Sequence, residues 1–236
     1  MATPPKEELA RLDAIARRLR GDVVEMSHRS GAPHLGSALS CIDILVAAYW
    51  GSFQIDPDRP VDPDRDRILL SKGHASSALY AALAERGFFS GDELGRYAQT
   101  GSPLTEHMGP NCAPGIEAAT GSLGHGLSLG AGMALAGRIH KRDYRVCVVM
   151  SDGECNEGSV WEAAMFAAAQ QLGRLLVVID FNRWQATGRS EEVLALSPLA
   201  DKWSAFGWNA VAVDGHDLGD LLEEMSPETG DPNRPK

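Results

Sequence analysis

Ser151-Asp-Gly-Glu-Cys-Asn-Glu-Gly158 and, further on, Ile179-Asp-Phe-Asn182 decide the fold of this chain, with Asn182 standing thirty positions after Asp152. Before the first stretch, Arg145-Val-Cys-Val-Val-Met150 is an apolar run with the length and β-branched content of a buried parallel strand. After it, Val160, Trp161, Ala164, Met165, Ala168 and Leu172 recur at helical spacing and Gly173 offers a stop, so Gly158 sits where a helix begins. Strand, glycine-containing turn and helix set backbone N–H groups and the positive end of a helix dipole against an anion. The second stretch repeats the logic. Leu175-Leu-Val-Val-Ile179 reads as another buried strand, and Asp180-Phe-Asn-Arg-Trp184 as the turn leaving its carboxyl end, where open parallel sheets form their ligand sites.

An Asp-Gly pair by itself is an ordinary turn. The spacing to Asn182 is what points to chemistry. A diphosphate needs its charge neutralised, and Mg²⁺, a hard ion, wants one or two carboxyl or amide oxygens beside the phosphates. Asp152 and Asn182 supply them, and a backbone carbonyl near Trp184 is a candidate third ligand.

The composition fits a cofactor-binding domain. With 236 residues, 44% of them hydrophobic, the chain can bury a sizeable core and is expected to form one large α/β domain. A formal charge of -10 argues against nucleic acid as a partner, since phosphate backbones call for clustered Lys and Arg. A diphosphate is still compatible with an acidic chain when a metal and backbone dipoles neutralise it locally. Cys41, Cys112, Cys147 and Cys155 have neither metal-ligand nor redox spacing and are expected as reduced thiols. The opening residues do not read as a signal peptide, and the longest apolar stretch, around Leu127 to Ile139, is too short and glycine-rich to span a bilayer. No membrane association and a cytoplasmic location are expected.

Along the rest of the chain the elements alternate, without repeats. Leu9, Leu12, Ile15, Ala16, Leu19, Val23 and Met26 form the apolar stripe of a first helix, and a second is expected with Ser40 as its cap and Asp43 in its first turn. Asp56 to Arg65 is too rich in proline and charge for either period and reads as a surface loop. Arg67 to Leu70 is a strand, followed by a helix that begins at His74. A helix from Ser122 to Arg138 carries Gly124, Gly126, Gly130 and Gly132, each costing ~1 kcal/mol against alanine. Backbone packed close to a sheet or ligand would offset that cost. Leu196 to Phe206, Ala210 to Val213 and Leu218 to Met225 read as helix, strand and helix. The expected architecture is a mainly parallel sheet with helices on both faces.

Several blocks, in order, carry a family resemblance: Ser30-Gly-Ala-Pro-His-Leu-Gly36, Leu70-Ser-Lys-Gly-His-Ala75, Thr105-Glu-His107, Thr120-Gly-Ser-Leu-Gly124, the two stretches quoted first, and Val213-Asp-Gly-His216. From about Leu9 to Met225 the chain resembles the amino-terminal, diphosphate-binding half of a transketolase, of the kind made as two separate subunits. The resemblance implies the thiamine diphosphate-binding fold, with thiamine diphosphate and Mg²⁺ as cofactors. It implies that His74, Gly121, Leu123, Asp152, Gly153, Glu157 and Asn182 contact the cofactor and that Asp152, Asn182 and the Trp184 carbonyl hold the metal. His34, His74 and His107 match transketolase histidines near the cofactor's reactive carbon, where imidazoles hydrogen-bond a sugar and shuttle protons. Glu157 and Glu162 match carboxylates that run between the cofactor and the subunit interface, and Glu162 is expected to take part in catalysis. For His28, His140 and His216 an ordinary polar role is expected.

Some positions depart from the family. His125 stands where glutamine is usual, and Trp161 and Trp184 replace smaller residues, so Trp184 is placed to narrow the thiazolium pocket. In transketolases the carboxylate that activates the cofactor comes from a pyrimidine-binding domain, for which residues 1–225, read as the diphosphate-side domain, leave no room. Residues 226–236 read as a truncated tail. The expected partner is therefore a carboxy-terminal, pyrimidine-binding transketolase-like subunit, in a heterotetramer. The expected activity is transfer of a two-carbon ketol unit from a ketose to an aldehyde, with a sugar or sugar phosphate as substrate. The alternatives are thiamine-dependent acyl transfer from a 2-oxo acid and a non-catalytic cofactor-binding subunit.

Overall fold

The computed structural model describes residues 4–236. Helix α1 spans Lys6–Ser30 and buries Leu12, Ile15, Ala16, Leu19, Val23 and Met26, the stripe expected from its 3.6-residue period. It stops at Gly31, which takes the left-handed conformation (φ 68°) and donates its N–H to the Ser27 carbonyl. The expected second helix is two: α2 (Leu35–Ser40) and α3 (Ile42–Ala47). Ser40 is not a cap. Its hydroxyl instead donates to Asp180, at the far side of the sheet.

Strand β1 (Arg67–Leu70) is followed by a short 3-10 turn at Gly73–Ala75 and then by α4 (Ser76–Arg86). Helix α5 covers His125–Ile139, β2 Val146–Ser151, α6 Gly158–Ala169 and β3 Leu175–Asp180. The three strands make one parallel sheet in the order β1-β2-β3, with Ser151 opposite Asp180. Because side chains alternate along a strand, each strand feeds two cores. Ile68, Leu70, Cys147 and Val149 pack against α1, α3 and α4, whereas Leu69, Val146, Val148, Met150 and Leu175 pack against α5 and α6. A two-residue hairpin pair, β4 (Trp184–Gln185) and β5 (Gly188–Arg189), leads into α7 (Ser190–Val193). Helices α8 (Leu199–Ala205) and α9 (Leu218–Glu224) complete the described elements.

Residues 210–213, expected as a strand, form no ladder. Strand geometry needs a neighbour to bond, and this segment faces the outer edge of β3 across a cavity of about 760 Å³ lined by Leu176 to Asn182 and Ala210 to His216. At one end of that cavity residues 235 and 236 bridge the gap. Lys236 donates to the Leu175 carbonyl and accepts from the Val177 N–H, and Pro235 accepts from Asn209. Residues 235 and 236 thus lie packed against the body of the domain, while most of 227–234 is exposed.

The glycines of α5 are explained by close approach. A Cβ on Gly126 would overlap the Ser71 hydroxyl oxygen, and one on Gly130 would overlap Val148 Cγ2, so both let the helix backbone settle onto the sheet. Gly132 has nothing within 4 Å and contributes only its helical cost. Substitutions at these two neighbouring positions of one helix should therefore have opposite signs. Gly132→Ala should stabilise the chain by about 0.5–1 kcal/mol, and Gly130→Ala should destabilise it by about 1–3 kcal/mol through overpacking, as read from urea unfolding midpoints.

Candidate cofactor site

All three strands of the parallel sheet end on one side, and the loops leaving them make the site. After β2, Asp152–Asn156 forms a 3-10 turn opened by Ser151 and Glu154. Glu154, unnoticed in the sequence, is the hub of this turn. Fully buried, its carboxylate accepts from the Ser151 N–H (2.9 Å), from the Gly124 N–H at the head of α5 (3.1 Å) and, closely, from the Ser71 hydroxyl just beyond β1. The Ser-x-x-Glu spacing of a capping box was the signal that could have found it.

Asp152 is also fully buried. Its Oδ1 accepts from the Gly153 N–H, and its Oδ2 accepts from the Arg183 N–H (3.1 Å) and the Ser190 hydroxyl (2.6 Å). Burial raises its pKa above the ordinary carboxylate value, and those three hydrogen bonds pull the other way. The Arg183 contact draws the turn after β3 over Asp152, so the two residues expected to bind a metal come together. Asn182 Oδ1 accepts from the Trp184 N–H (2.9 Å), and its Nδ2 donates to Asp180 (3.3 Å). Beside them Lys72, fully buried, donates to Asp180 at 2.5 Å and to the Ser37 carbonyl at 3.0 Å. Burial works against the Lys72 charge, yet its pKa is raised, with the Asp180 carboxylate among the groups that hold the proton. This ion pair was not legible in the sequence, because its partners lie far apart in the chain, one in the loop after β1 and the other at the end of β3.

The three singled-out histidines converge. The His34 ring centroid lies 5.2 Å from that of His74 and 6.3 Å from that of His107. His34 occupies the left-handed region (φ 71°) at the head of α2, a strained conformation for a non-glycine residue. His74 Nε2 is 2.9 Å from the Ser37 hydroxyl. Burial, then the charge of Lys72 and the neighbouring imidazoles of His34 and His107, lowers the His74 pKa to about 4. His107 rests on Gly121, where a Cβ would come within 2.7 Å of its ring. The Thr120–Gly124 loop is held to β1 by the Thr120 hydroxyl, which donates to the Leu70 carbonyl at 2.7 Å. It brings Gly121 and Leu123 to the rim of the site.

Other expected residues are placed differently. Glu157 and Glu162 are exposed at the start of α6. Glu157 packs against Gly124, where a Cβ would meet it at 2.7 Å. Trp184 is 58% exposed and lies under the Arg189 guanidinium, 4.7 Å from ring centroid to Cζ, so its indole points away from a buried pocket. Trp161 stacks on Phe206 and donates its indole N–H to the Cys155 carbonyl, tying the Asp152–Asn156 turn to the segment after α8. His216 Nδ1 lies 2.8 Å from the carboxylate of buried Asp43, which also accepts from Arg20. His125 is exposed.

The geometry fits a metal-bound diphosphate. Among the described residues no group of three or more His, Cys, Asp or Glu side chains could hold a metal, so an ion at Asp152 would complete its shell with amide, carbonyl and phosphate oxygens, the donors a hard cation prefers. Asn156 Oδ1 and Gln185 Nε2, in the loops flanking Gly153, are buried polar atoms without partners, as expected where a polar ligand belongs.

A family model described as transketolase, thiamine diphosphate binding domain, matches residues 10–235. Among curated relatives, the chain is 41% identical over 211 residues to one of the subunits of the apulose-4-phosphate transketolase of Phocaeicola vulgatus, a match that covers 89% of this chain and 75% of that protein. It is 40% identical over 210 residues to the 6-deoxy-6-sulfo-D-fructose transketolase subunit SqwG of Clostridium sp. (strain MSTE9), covering 89% of this chain and 76% of the relative. Among solved structures, transketolase from Campylobacter jejuni superposes with a TM-score of 0.87 at 26% identity, over 92% of this chain but only 36% of that one. The chain thus spans about a third of the solved transketolase and three quarters of the relatives named as subunits.

The lowered His74 pKa has a definite sign. Between the ordinary value of 6.5 and about 4, the unfolded chain takes up a proton that the folded chain refuses, so this group's contribution to stability falls as pH drops through that window. In NMR titrations of the imidazole carbons, His74 should stay neutral from pH 8 down to pH 5 and change only near pH 4; a midpoint near 6.5 would contradict the burial and charge described above.

Proposed function

The chain belongs to the transketolase family, and from that premise we propose that it is the diphosphate- and Mg²⁺-binding subunit of a split transketolase-like enzyme, transferring a two-carbon ketol unit from a ketose to an aldehyde acceptor. The observation that carries this reading is the convergence of His34, His74 and His107 beside the Asp152–Asn182 pair. Asp152, Asn182 and the Trp184 carbonyl would hold Mg²⁺, with Gly121, Leu123, Gly153, Glu157 and His74 around thiamine diphosphate. When bound, the cofactor supplies a nucleophilic carbon and an electron sink for breaking the bond next to a carbonyl.

The histidines do the rest of this chain's chemistry. His74 is neutral at pH 7, so its ring both donates and accepts hydrogen bonds, and Ser37 fixes its orientation. His34 and His107, both exposed at the mouth, are placed to hydrogen-bond the ketose hydroxyls and carbonyl and to move a proton as the carbon–carbon bond breaks or forms. The related proteins are named for apulose-4-phosphate and a sulfo-fructose, which supports a sugar or sugar phosphate as the substrate.

A second polypeptide would complete the site. The naming of the relatives as subunits supports this, and so does the surface: Leu129 on α5 and Met165 and Phe166 on α6 are 40–50% exposed, next to Glu162. We assign to this face the carboxy-terminal, pyrimidine-binding subunit, whose carboxylate would activate the cofactor, in a heterotetramer. Glu162 would sit at that interface. The four cysteines are free, which supports a reducing, cytoplasmic setting, and no helix among the described residues is long and apolar enough to cross a membrane.

Asp152→Ala and Asn182→Ala should each abolish Mg²⁺-dependent retention of thiamine diphosphate in calorimetry. Alanine at His34, His74 or His107 should instead lower turnover by about 10²-fold or more while retention changes less, and His140→Ala should do neither.

The split-enzyme reading is tested by mixing the purified chain with its pyrimidine-binding partner, then following ketose consumption. Turnover is expected only from the mixture. Robust turnover by the chain alone would overturn the subunit reading, and consumption of a 2-oxo acid in place of a ketose would replace ketol transfer with acyl transfer.

A further inference from the structure

We propose that the buried Lys72–Asp180 ion pair is a positioning device that decides which end of the Asn182 amide is offered to the bound cation. The inference rests on the reading of Asp152 and Asn182 as metal ligands. An amide side chain has two ends of nearly equal shape, one carrying an acceptor and the other two donors, so only its neighbours decide which way it faces. A hard cation takes oxygen alone. A flipped Asn182 would present an NH₂ group and contribute nothing.

Two neighbours with opposite demands set this amide. The Trp184 N–H, 2.9 Å away, can only donate, so it selects the oxygen and leaves that oxygen's second lone pair for another ligand. Asp180 Oδ2, at 3.3 Å, can only accept when ionised, so it selects the NH₂ end. The Trp184 contact alone is a local turn within one loop. Asp180 is the anchored partner: it is 6% exposed, closes β3, receives the Ser40 hydroxyl on Oδ1 at 2.7 Å and the Lys72 ammonium on Oδ2 at 2.5 Å.

Lys72 is itself fixed by the Ser37 carbonyl and enters from the loop after β1. The pair therefore ties the loop after β1 to the end of β3, and it transmits the position of both to one amide. As a stabiliser, such a buried pair is weak against apolar replacements, because desolvating both charges offsets most of their attraction. As a device that holds the Asp180 carboxylate aimed at the Asn182 amide, it has a use that an apolar pair could not fill. Outer partners of this kind commonly change metal affinity by about 10–100-fold.

The test is a cycle in which the amide is made symmetric. The full chain, with thiamine diphosphate in excess, is titrated with Mg²⁺ by calorimetry, and the metal-free thermal midpoint is recorded for every variant. Asp180→Asn in the otherwise native chain should raise the Mg²⁺ dissociation constant by about 10–100-fold. In the Asn182→Asp background the ligand has two equivalent oxygens, nothing is left to orient, and Asp180 faces a second carboxylate. There Asp180→Asn should leave the constant unchanged or lower it. Equal weakening in both backgrounds would show that Asp180 only holds the fold, and no weakening in the native background would show that the Trp184 contact suffices; either result overturns the proposal. Absence of any Mg²⁺ uptake by the parent chain, both alone and mixed with its pyrimidine-binding partner, would remove the metal site itself and this inference with it, a failure visible before any variant is made. Should Asp180→Asn leave Lys72 stranded and unfold the chain, Lys72→Met with Asp180→Asn removes both charges and runs through the same cycle with the same expected signs.

Discussion

The Glu154 carboxylate, out of contact with water and without a cation beside it, is the interaction on which the rest of the site depends. A buried carboxylate is costly unless donors surround it. Here they come from three places that are distant in the chain: Ser71 after β1, Gly124 at the head of α5 and Ser151 at the end of β2. By satisfying one acceptor, the fold brings the Thr120–Gly124 loop, the Asp152 turn and the Ser71–His74 loop to a common edge. Each of those segments carries a residue of the candidate site. The placement of Gly126 follows from the same constraint, since a side chain there would strike Ser71 and pull it from Glu154.

Charge around the site is arranged with economy. Asp152, Glu154 and Asp180 are buried within one set of loops, and Lys72 is the buried ammonium among them. The acidic excess suits a divalent cation, and the Asp152 turn leads directly into the amino end of α6, where unpaired backbone N–H groups would favour a phosphate. The same ammonium reaches the histidine cluster. Burial first, and then that charge, lowers the His74 pKa, so one buried lysine both pairs with Asp180 beside the candidate site and favours the neutral form of a neighbouring imidazole.

Helices α5 and α6 meet the solvent with apolar side chains. Leu129, Met165 and Phe166 are poorly suited to water, while the inward faces of the same helices hold glycine and alanine against the sheet. Small residues inside and large ones outside is the reverse of a free surface helix. It is the pattern of a layer packed on both sides, and it is why an interface with a second polypeptide is assigned there.

The strand–turn–helix unit around Asp152, the strand and turn that carry Asn182, the apolar stripe of α1 and the close packing of α5 were all legible in the sequence, because periodicity, turn chemistry and the cost of glycine in a helix are local properties. The grouping of His34, His74 and His107 was legible only through a resemblance, since nothing local relates residues so far apart. The strand expected at residues 210–213 shows the limit of local reading: its composition suits a strand, but a strand exists only where a neighbour completes the ladder. The bonds that reach Glu154 from Ser71 and Gly124, the Lys72–Asp180 pair and the Ser190 bond to Asp152 were decided by the tertiary structure alone. Each depends on the parallel register that sets Ser151 beside Asp180 and Leu70 beside Val149, and register is a relation between strands that no single stretch of sequence contains.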